Sequence, residues 1–122
     1  MEEETVLAFV RSSIQSAWSL ELLLLLRRDR RQTWSREALV RELRGSLPLV
    51  TESLGRLGTR GLIAADASGQ YRYEPNPPEL DALVGALVEL YGQKPITVLR
   101  TIFTSPTDRI RSFSDAFLFK KK

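Results

Sequence analysis

The sequence predicts one mainly α-helical domain that carries a small β-hairpin. Its 122 residues, 43% of them hydrophobic, suffice for one compact core and are too few for two. Along most of the chain the apolar residues recur every three or four positions, which is typical of amphipathic helices. Residues 62–74 differ, because two short alternating segments flank Ser68-Gly69 there, as in two strands joined by a turn.

Two helices are expected at the amino terminus. Glu3 to Gln15 predicts the first, since its apolar residues share one face and its glutamates lie where a helix amino terminus favours negative charge. A leucine-rich second helix, through about Arg28, has so little polar surface that we expect it to be central. A serine cluster between the two predicts a bend or a new helix start, with Ser12 and Gln15 at the spacing of a capping box; its members are Ser12, Ser13, Ser16 and Ser19.

The middle of the chain predicts two shorter helices. A very short strand at Thr33-Trp34 precedes Ser35, whose hydroxyl is a good amino-terminal cap for a helix over Arg36 to Arg44. Gly45 stands where a carboxy-terminal cap glycine belongs, because glycine tolerates the left-handed conformation that ends many helices.

The next helix is predicted over about Leu47 to Arg60, with Ser46 as its cap and Gly61 as its stop. Successive helical residues are rotated by about 100°, so the two faces of this helix can be assigned. The residues facing the core are Val50, Leu54 and Leu57. Those facing outward are Pro48, Glu52, Gly55 and Thr59.

After this helix, strands are expected over Leu62 to Asp66 and Gln70 to Glu74, with Gly69 taking the positive φ of the turn. Tyr71 and Tyr73 share one face, which we expect to pack on the core. Three more helices follow the prolines of residues 75–78. They are predicted over 80–92, over 95–104 with Ile96, Leu99, Ile102 and Phe103 as its apolar set, and from Ser105 through Phe117.

The order helix, short strand, helix, turn, helix, hairpin is that of a winged helix-turn-helix. The run from Ser46 to Ile63, SLPLVTESLGRLGTRGLI, resembles the recognition helix and first wing strand of bacterial regulators of the multiple-antibiotic-resistance and arsenical-resistance repressor type. The resemblance covers about residues 16–75. It implies a winged helix-turn-helix core over 16–75, flanked by an N-terminal helix (1–15) and a C-terminal helical extension (76–122).

The resemblance implies a transcriptional regulator that binds double-stranded DNA, with residues 47–60 in the major groove and 62–74 on the flanking backbone or minor groove. Arg56 is the clearest candidate for a base contact, and Glu52 can accept from a cytosine amino group. The other candidates reach phosphates or the minor groove. The candidate DNA-binding residues are Arg36, Thr51, Glu52, Ser53, Arg56, Thr59, Arg60, Gln70 and Arg72.

The net charge of the chain is small, but its positive charge is clustered in one segment. The net charge is +3, and arginine supplies 14 of the 18 basic residues, with seven of these arginines between residues 27 and 44. Such a cluster is compatible with a solvated surface, a phosphate-binding patch or a surface for an acidic protein partner, and the sequence leaves all three open.

The partner question also stays open. The terminal helices carry more apolar residues than a small winged domain needs to cover, so they either wrap around the leucine-rich helix or meet a second chain. The resemblance favours a homodimer through these helices. The outward strip of residues 47–60 carries no basic residue, and this favours an alternative function as a winged-helix module that binds another protein.

Other classes are disfavoured. The chain has neither cysteine nor histidine, so we predict no catalytic site, no metal site and no cofactor, and do not expect an enzyme. Its apolar runs, such as Leu22 to Leu26, are too short to span a membrane. The acidic amino terminus does not resemble a secretory signal, and the Lys120 to Lys122 ending is only a weak membrane signal. We therefore expect a cytoplasmic protein.

Overall fold

The computed structural model describes residues 1–103, which confirm a mainly helical fold with one two-stranded antiparallel sheet. The helices are α1 (Glu3–Ser13), α2 (Ala17–Arg28), α3 (Arg36–Leu43), α4 (Leu47–Thr59), α5 (Leu80–Gln93) and α6 (Pro95–Phe103). The strands are β1 (Ile63–Ala65) and β2 (Tyr71–Tyr73). The helix predicted from Ser105 through Phe117, and the lysines 120–122, lie outside the described residues.

The predicted central position of α2 is confirmed, because Leu20, Leu22, Leu23 and Leu26 are all fully buried. The predicted capping box is wrong. Ser12 belongs to the last turn of α1, where its hydroxyl donates to the Phe9 carbonyl. The α2 helix is capped instead by Ser16, whose Oγ accepts from the Ser19 amide at 3.1 Å. Ser12 fails as a cap because its own backbone is still helical.

The two predicted serine caps in the middle of the chain are confirmed. Ser35 Oγ accepts from the Ala38 amide at 3.1 Å, and Ser46 Oγ accepts from the Leu49 amide at 3.3 Å. Gly45 is not the left-handed cap that we expected, because that conformation belongs to Arg44, with a φ of 55°.

The structure gives Gly45 a different role. A Cβ at this position would stand 3.0 Å from the indole ring of Trp18, so the glycine lets the turn between α3 and α4 pack closely on α2. The α3–α4 turn is therefore determined by a contact with a distant residue as well as by local conformation.

The hairpin follows α4 directly. Gly61 has a φ of 77°, and a Cβ there would lie 2.4 Å from the Asn76 carbonyl oxygen, so both conformation and space exclude a side chain. Strand β1 pairs with β2 in the register Ile63 with Tyr73, and Gly69 takes the positive φ predicted for the turn. The predicted strand at Thr33-Trp34 is a single bridge from Trp34 to Tyr71.

Helices α5 and α6 pack against each other and against α1, so both ends of the described chain lie on the same side of the core. Val84, Leu87, Val98 and Ile102 are fully buried there. The apolar set predicted for α6 is split between two faces. Ile96 and Phe103 are 64% and 57% exposed, because burial of Val98 and Ile102 turns them outward.

Neither the leucine-rich α2 nor any other helix of residues 1–103 has the length and apolar character needed to cross a bilayer.

Candidate functional site

The candidate site is the face of α4 that points away from the core. Val50, Leu54 and Leu57 are buried as predicted. Pro48, Glu52, Gly55 and Thr59 are exposed, also as predicted. The body of the described chain therefore leaves the outer side of α4 uncovered.

Two exposed glycines leave part of α4 without side chains, Gly55 on this face and Gly58 on its flank. Among the described residues, apart from the helix's own nearby backbone, no atom lies within 4 Å of a Cβ built at Gly55 or at Gly58. Each glycine costs a helix interior about 1 kcal/mol relative to alanine, and the free space would accept alanine. The packing of this part of the chain thus gives no reason for glycine, and a closely approaching partner would give one.

The first turn of α4 carries exposed leucines that the sequence reasoning missed. Leu47 is 50% exposed and Leu49 is 41% exposed. For Leu49 the signal was present in the sequence, because it lies off the face of Val50 and Leu54 at helical spacing. Leu47 stands three residues before Val50 and seven before Leu54, so helical spacing places it with them, and only the structure shows that it is exposed.

Arg56, which we predicted to contact a base, already donates hydrogen bonds to two neighbouring side chains. Its Nε and Nη2 donate to Glu52 Oε1 at 3.2 and 3.1 Å, across one helical turn. Its Nη1 also donates to Gln15 Oε1, in the junction between α1 and α2. Arg56 must therefore release Glu52 or Gln15 before it extends its full guanidinium group to another molecule.

Arg60 is held by the same junction. Its Nε donates to Ser13 Oγ at 2.8 Å, and Ser13 is 2% exposed. Thr59 turns its hydroxyl back to the Gly55 carbonyl at 2.9 Å. A groove of about 570 Å³ runs between the junction and the outer face of α4. The residues lining it are Ser12, Ser13, Gln15, Thr51, Glu52, Gly55, Arg56, Thr59 and Arg60.

One predicted contact residue on α4 is wrong. Ser53 is 4% exposed, because it lies on the side of the helix that faces α2, where it lines a small cleft with Ser16 and Ser19. It has no access to a phosphate in this conformation. Thr51, by contrast, is exposed.

The hairpin residues are placed differently from expectation. Gln70 Oε1 accepts from the Thr33 hydroxyl at 2.6 Å, so its side chain ties the hairpin to the loop before α3. Arg72 is exposed but pairs with Glu74 at 2.9 Å. Since the two charges offset each other, the hairpin presents little net positive charge from β2.

The tip of the hairpin carries an acidic residue. Asp66 Oδ1 accepts from the Ser68 hydroxyl at 2.7 Å and from the Ser68 and Gln70 amides at 2.9 and 3.0 Å. These bonds, with that from the Ser68 side chain first, lower the pKa of Asp66 below its ordinary value of 3.8. The turn is thereby held closed around a carboxylate that stays negative at neutral pH.

The arginine cluster of residues 27–44 divides into two groups. Arg27 and Arg30 point to Asp81, with nitrogen to oxygen distances of 3.6 and 2.9 Å, and Arg28 lies 3.6 Å from Asp29. The remaining arginines make no ion pair with another described residue. They are Arg31, Arg36, Arg41 and Arg44, and all four are exposed.

Asp81 is the centre of a polar network that joins α2, β2 and α5. Tyr73 donates its hydroxyl to Asp81 Oδ1 at 2.6 Å, and the Arg30 guanidinium lies 5.3 Å from the centre of the Tyr73 ring. The Tyr73 hydrogen bond, followed by that of Arg30, lowers the pKa of Asp81 against the opposing effect of burial. Burial and the Asp81 carboxylate raise the pKa of Tyr73, which therefore stays neutral.

Comparison of the chain with models of known protein families, with curated proteins and with solved structures finds no match. In residues 1–103, no group of three or more acidic side chains is arranged to hold a metal ion. The features of the chain that bear on its function are therefore the surface of α4, its arginine neighbours and the hairpin beside it.

Proposed function

We propose that the chain is a DNA-binding transcriptional regulator of winged helix-turn-helix architecture, with α4 as its recognition helix and the β1–β2 hairpin as its wing. The observation that carries this proposal is the uncovered outer face of α4, with its two glycines. A helix enters the major groove only if its outer face is free of the protein body. Gly55 and Gly58 then allow the helix backbone to come close to the bases and sugars.

Phosphate anchoring is the role that we propose for the arginines without an ion pair. Arg36 stands at the first residue of α3, and Arg44 lies in the turn immediately before α4. Both are exposed and belong to the helix pair that would straddle a groove wall. Contacts of this kind supply most nonspecific affinity and weaken as salt rises.

Base reading is assigned mainly to the exposed first half of α4. Thr51 and Glu52 lie there, and Glu52 can accept from a cytosine amino group. Arg56 contributes to base contact only after it leaves Glu52 or Gln15. The wing contributes by contact through the Ser68-Gly69 tip, since Asp66 and the Arg72–Glu74 pair do not attract a minor groove.

A homodimer completes the proposal. Ile96 and Phe103 lie on one exposed side of α6, and a second copy packed there would bury both. A two-fold arrangement would place two recognition helices on successive turns of one duplex. We propose that this regulator acts in the cytoplasm of a bacterial cell.

The direct test is binding of the full chain to duplex DNA over a series of salt concentrations. The expected result is binding at low salt whose affinity falls steadily as salt rises, because bound phosphates release counterions. Selection of bound fragments from a random duplex pool should then enrich one sequence. Absence of binding at low salt, or affinity independent of salt, would contradict the proposal.

A second candidate function is a module that binds another protein through the start of α4. The exposed Leu47 and Leu49, together with the Glu52–Arg56 pair, favour it specifically, because such a surface suits an apolar protein contact with a polar rim. DNA has no comparable apolar surface to offer Leu49.

Substitution of the leucines separates the two functions. The variant Leu47→Gln with Leu49→Gln should lose a protein partner that is recovered from nuclease-treated lysate. Val88→Gln on α5 is the matched control, because Val88 is another exposed apolar residue and lies outside the proposed dimer surface. If the leucine variant keeps that partner, or if the partner disappears on nuclease treatment of the unaltered chain, the second candidate is wrong.

A further inference from the structure

The groove between the α1–α2 junction and α4 contains an arginine that is fixed at one end and open at the other. Arg60 uses its Nε to donate to Ser13 Oγ, and this is the only hydrogen bond of its side chain to another described residue. Both terminal nitrogens of its guanidinium group therefore keep their hydrogens for another acceptor. A guanidinium group presents such hydrogens in a planar fork that matches two oxygens of a phosphate.

Two serine hydroxyl groups orient the guanidinium group of Arg60 through a chain of hydrogen bonds. The Ser12 hydroxyl donates to the Phe9 carbonyl at 3.1 Å, and the two serine oxygens lie 3.2 Å apart. Since Ser12 uses its hydrogen on Phe9, Ser13 donates to Ser12, and Ser13 Oγ is left to accept from Arg60. Because Ser13 is buried and each hydroxyl has a definite role, the Nε end of Arg60 is held in place.

Arg56 adds a second positive charge one helical turn earlier on the same side of α4. Its partners Glu52 and Gln15 line the same groove. The two arginines exceed the single carboxylate of Glu52, so this part of the groove carries a net positive charge. The Arg56–Glu52 pair is exposed, and pairs of this kind are weak enough for an incoming anion to compete with the carboxylate.

We propose that this groove is a binding site for one phosphate group, held by the terminal nitrogens of Arg60 with support from Arg56 and oriented by Ser13. The phosphate belongs either to a free phosphate compound or to the backbone of a nucleic acid. The site does not depend on the proposed function, because it needs neither the major groove nor a dimer. It assigns to Ser13, 47 residues from Arg60, a positioning role.

The test uses the full chain and two probes, inorganic phosphate followed by NMR at constant ionic strength and a short duplex DNA followed by fluorescence anisotropy. Arg60→Gln should weaken binding of the effective probe by about tenfold, the value of one charge-assisted contact. Ser13→Ala should also weaken it, by severalfold, although it changes no charge. Glu52→Gln should strengthen binding of inorganic phosphate, because it removes the carboxylate that competes for Arg56.

Arg11→Gln is the matched control, since it removes the same charge from α1, where Arg11 is paired with Glu4. Losses with Arg60→Gln and Ser13→Ala that Arg11→Gln does not share support the site. If inorganic phosphate shows these losses, the source is a free phosphate group; if only the duplex shows them, the source is the DNA backbone. Equal losses with Arg60→Gln and Arg11→Gln, or no binding of either probe, would overturn the proposal.

Discussion

The Tyr73 hydroxyl donates a hydrogen bond of 2.6 Å to Oδ1 of Asp81, and this bond joins the hairpin to the first turn of α5. Arg27 and Arg30 approach the same carboxylate from α2 and the loop after it. The hairpin is therefore held by side-chain contacts with α2 and α5 as well as by its covalent connection to α4. Any partner that moves the hairpin also acts on the start of α5.

Low pH should reduce the stability of the folded chain because Asp81 becomes protonated. Its pKa in the folded chain lies below 3.8, so its contribution to stability is present above that value and is lost as pH falls through the folded pKa. Asp81→Asn should lower stability at neutral pH and remove this part of the acid dependence. Chemical denaturation at neutral pH and below 3.8 measures both effects.

The Tyr73 hydroxyl is the largest cause of the lowered pKa of Asp81, so Tyr73→Phe should reduce the same acid dependence. Tyr91→Phe is the control, because its hydroxyl lies 3.4 Å from Glu21 and does not contact Asp81. An acid dependence that is identical in all three chains would show that the hydrogen bond does not act in this way.

Arg36→Gln should weaken DNA binding about equally for all sequences, because we assign Arg36 to a phosphate. Loss of one phosphate contact should reduce the slope of log affinity against log salt by about one. Arg11→Gln on α1 is the control, since Arg11 already pairs with Glu4 at 2.9 Å. A change in sequence preference with an unchanged salt slope would remove Arg36 from the phosphate contacts.

Alanine at the exposed glycines of α4 should separate stability from binding. Gly55→Ala and Gly58→Ala should each stabilise the free chain by about 0.5–1 kcal/mol, because the added methyl group meets open space and alanine favours the helix. The same changes should weaken partner binding, since they hold the helix backbone away. Thermal unfolding and duplex binding measure the two effects.

Gly92→Ala on α5 provides the matched control for those variants, because it also meets nothing within 4 Å. It should stabilise the chain and leave binding unchanged. Unaltered binding in Gly55→Ala and Gly58→Ala would mean that no partner approaches this face closely.

Ser46→Ala should destabilise the chain by about 1 kcal/mol, because the Leu49 amide loses its hydrogen-bond acceptor at the start of α4. Ser46→Asp should retain most of the stability, since aspartate caps equally well and its charge suits the helix amino terminus. Urea denaturation of the three chains is sufficient. Equal stability of Ser46→Ala and the unaltered chain would contradict the role of the cap.

Much of the local structure follows from the sequence. The bounds of α3 and α4, their serine caps, the positive φ of Gly69 and the buried face of Val50, Leu54 and Leu57 all depend on residues within a few positions of each other. Helical spacing also places Glu52 and Thr59 outward. These features are predictable because backbone conformation and side-chain direction repeat with a fixed period.

Other features could be known only from the folded chain, because they depend on contacts between residues that are far apart in the sequence. The indole ring of Trp18 leaves no room for a side chain at position 45, and Ser13 accepts a hydrogen bond from Arg60. Gln15 accepts a hydrogen bond from Arg56, so part of the Arg56 guanidinium group is not available for the predicted base contact. Burial of Ser53 against α2 likewise depends on how two helices cross. Local sequence therefore specifies the helices and their polar and apolar sides. The pairing of their side chains depends on packing, because contacts between distant residues have no period along the chain.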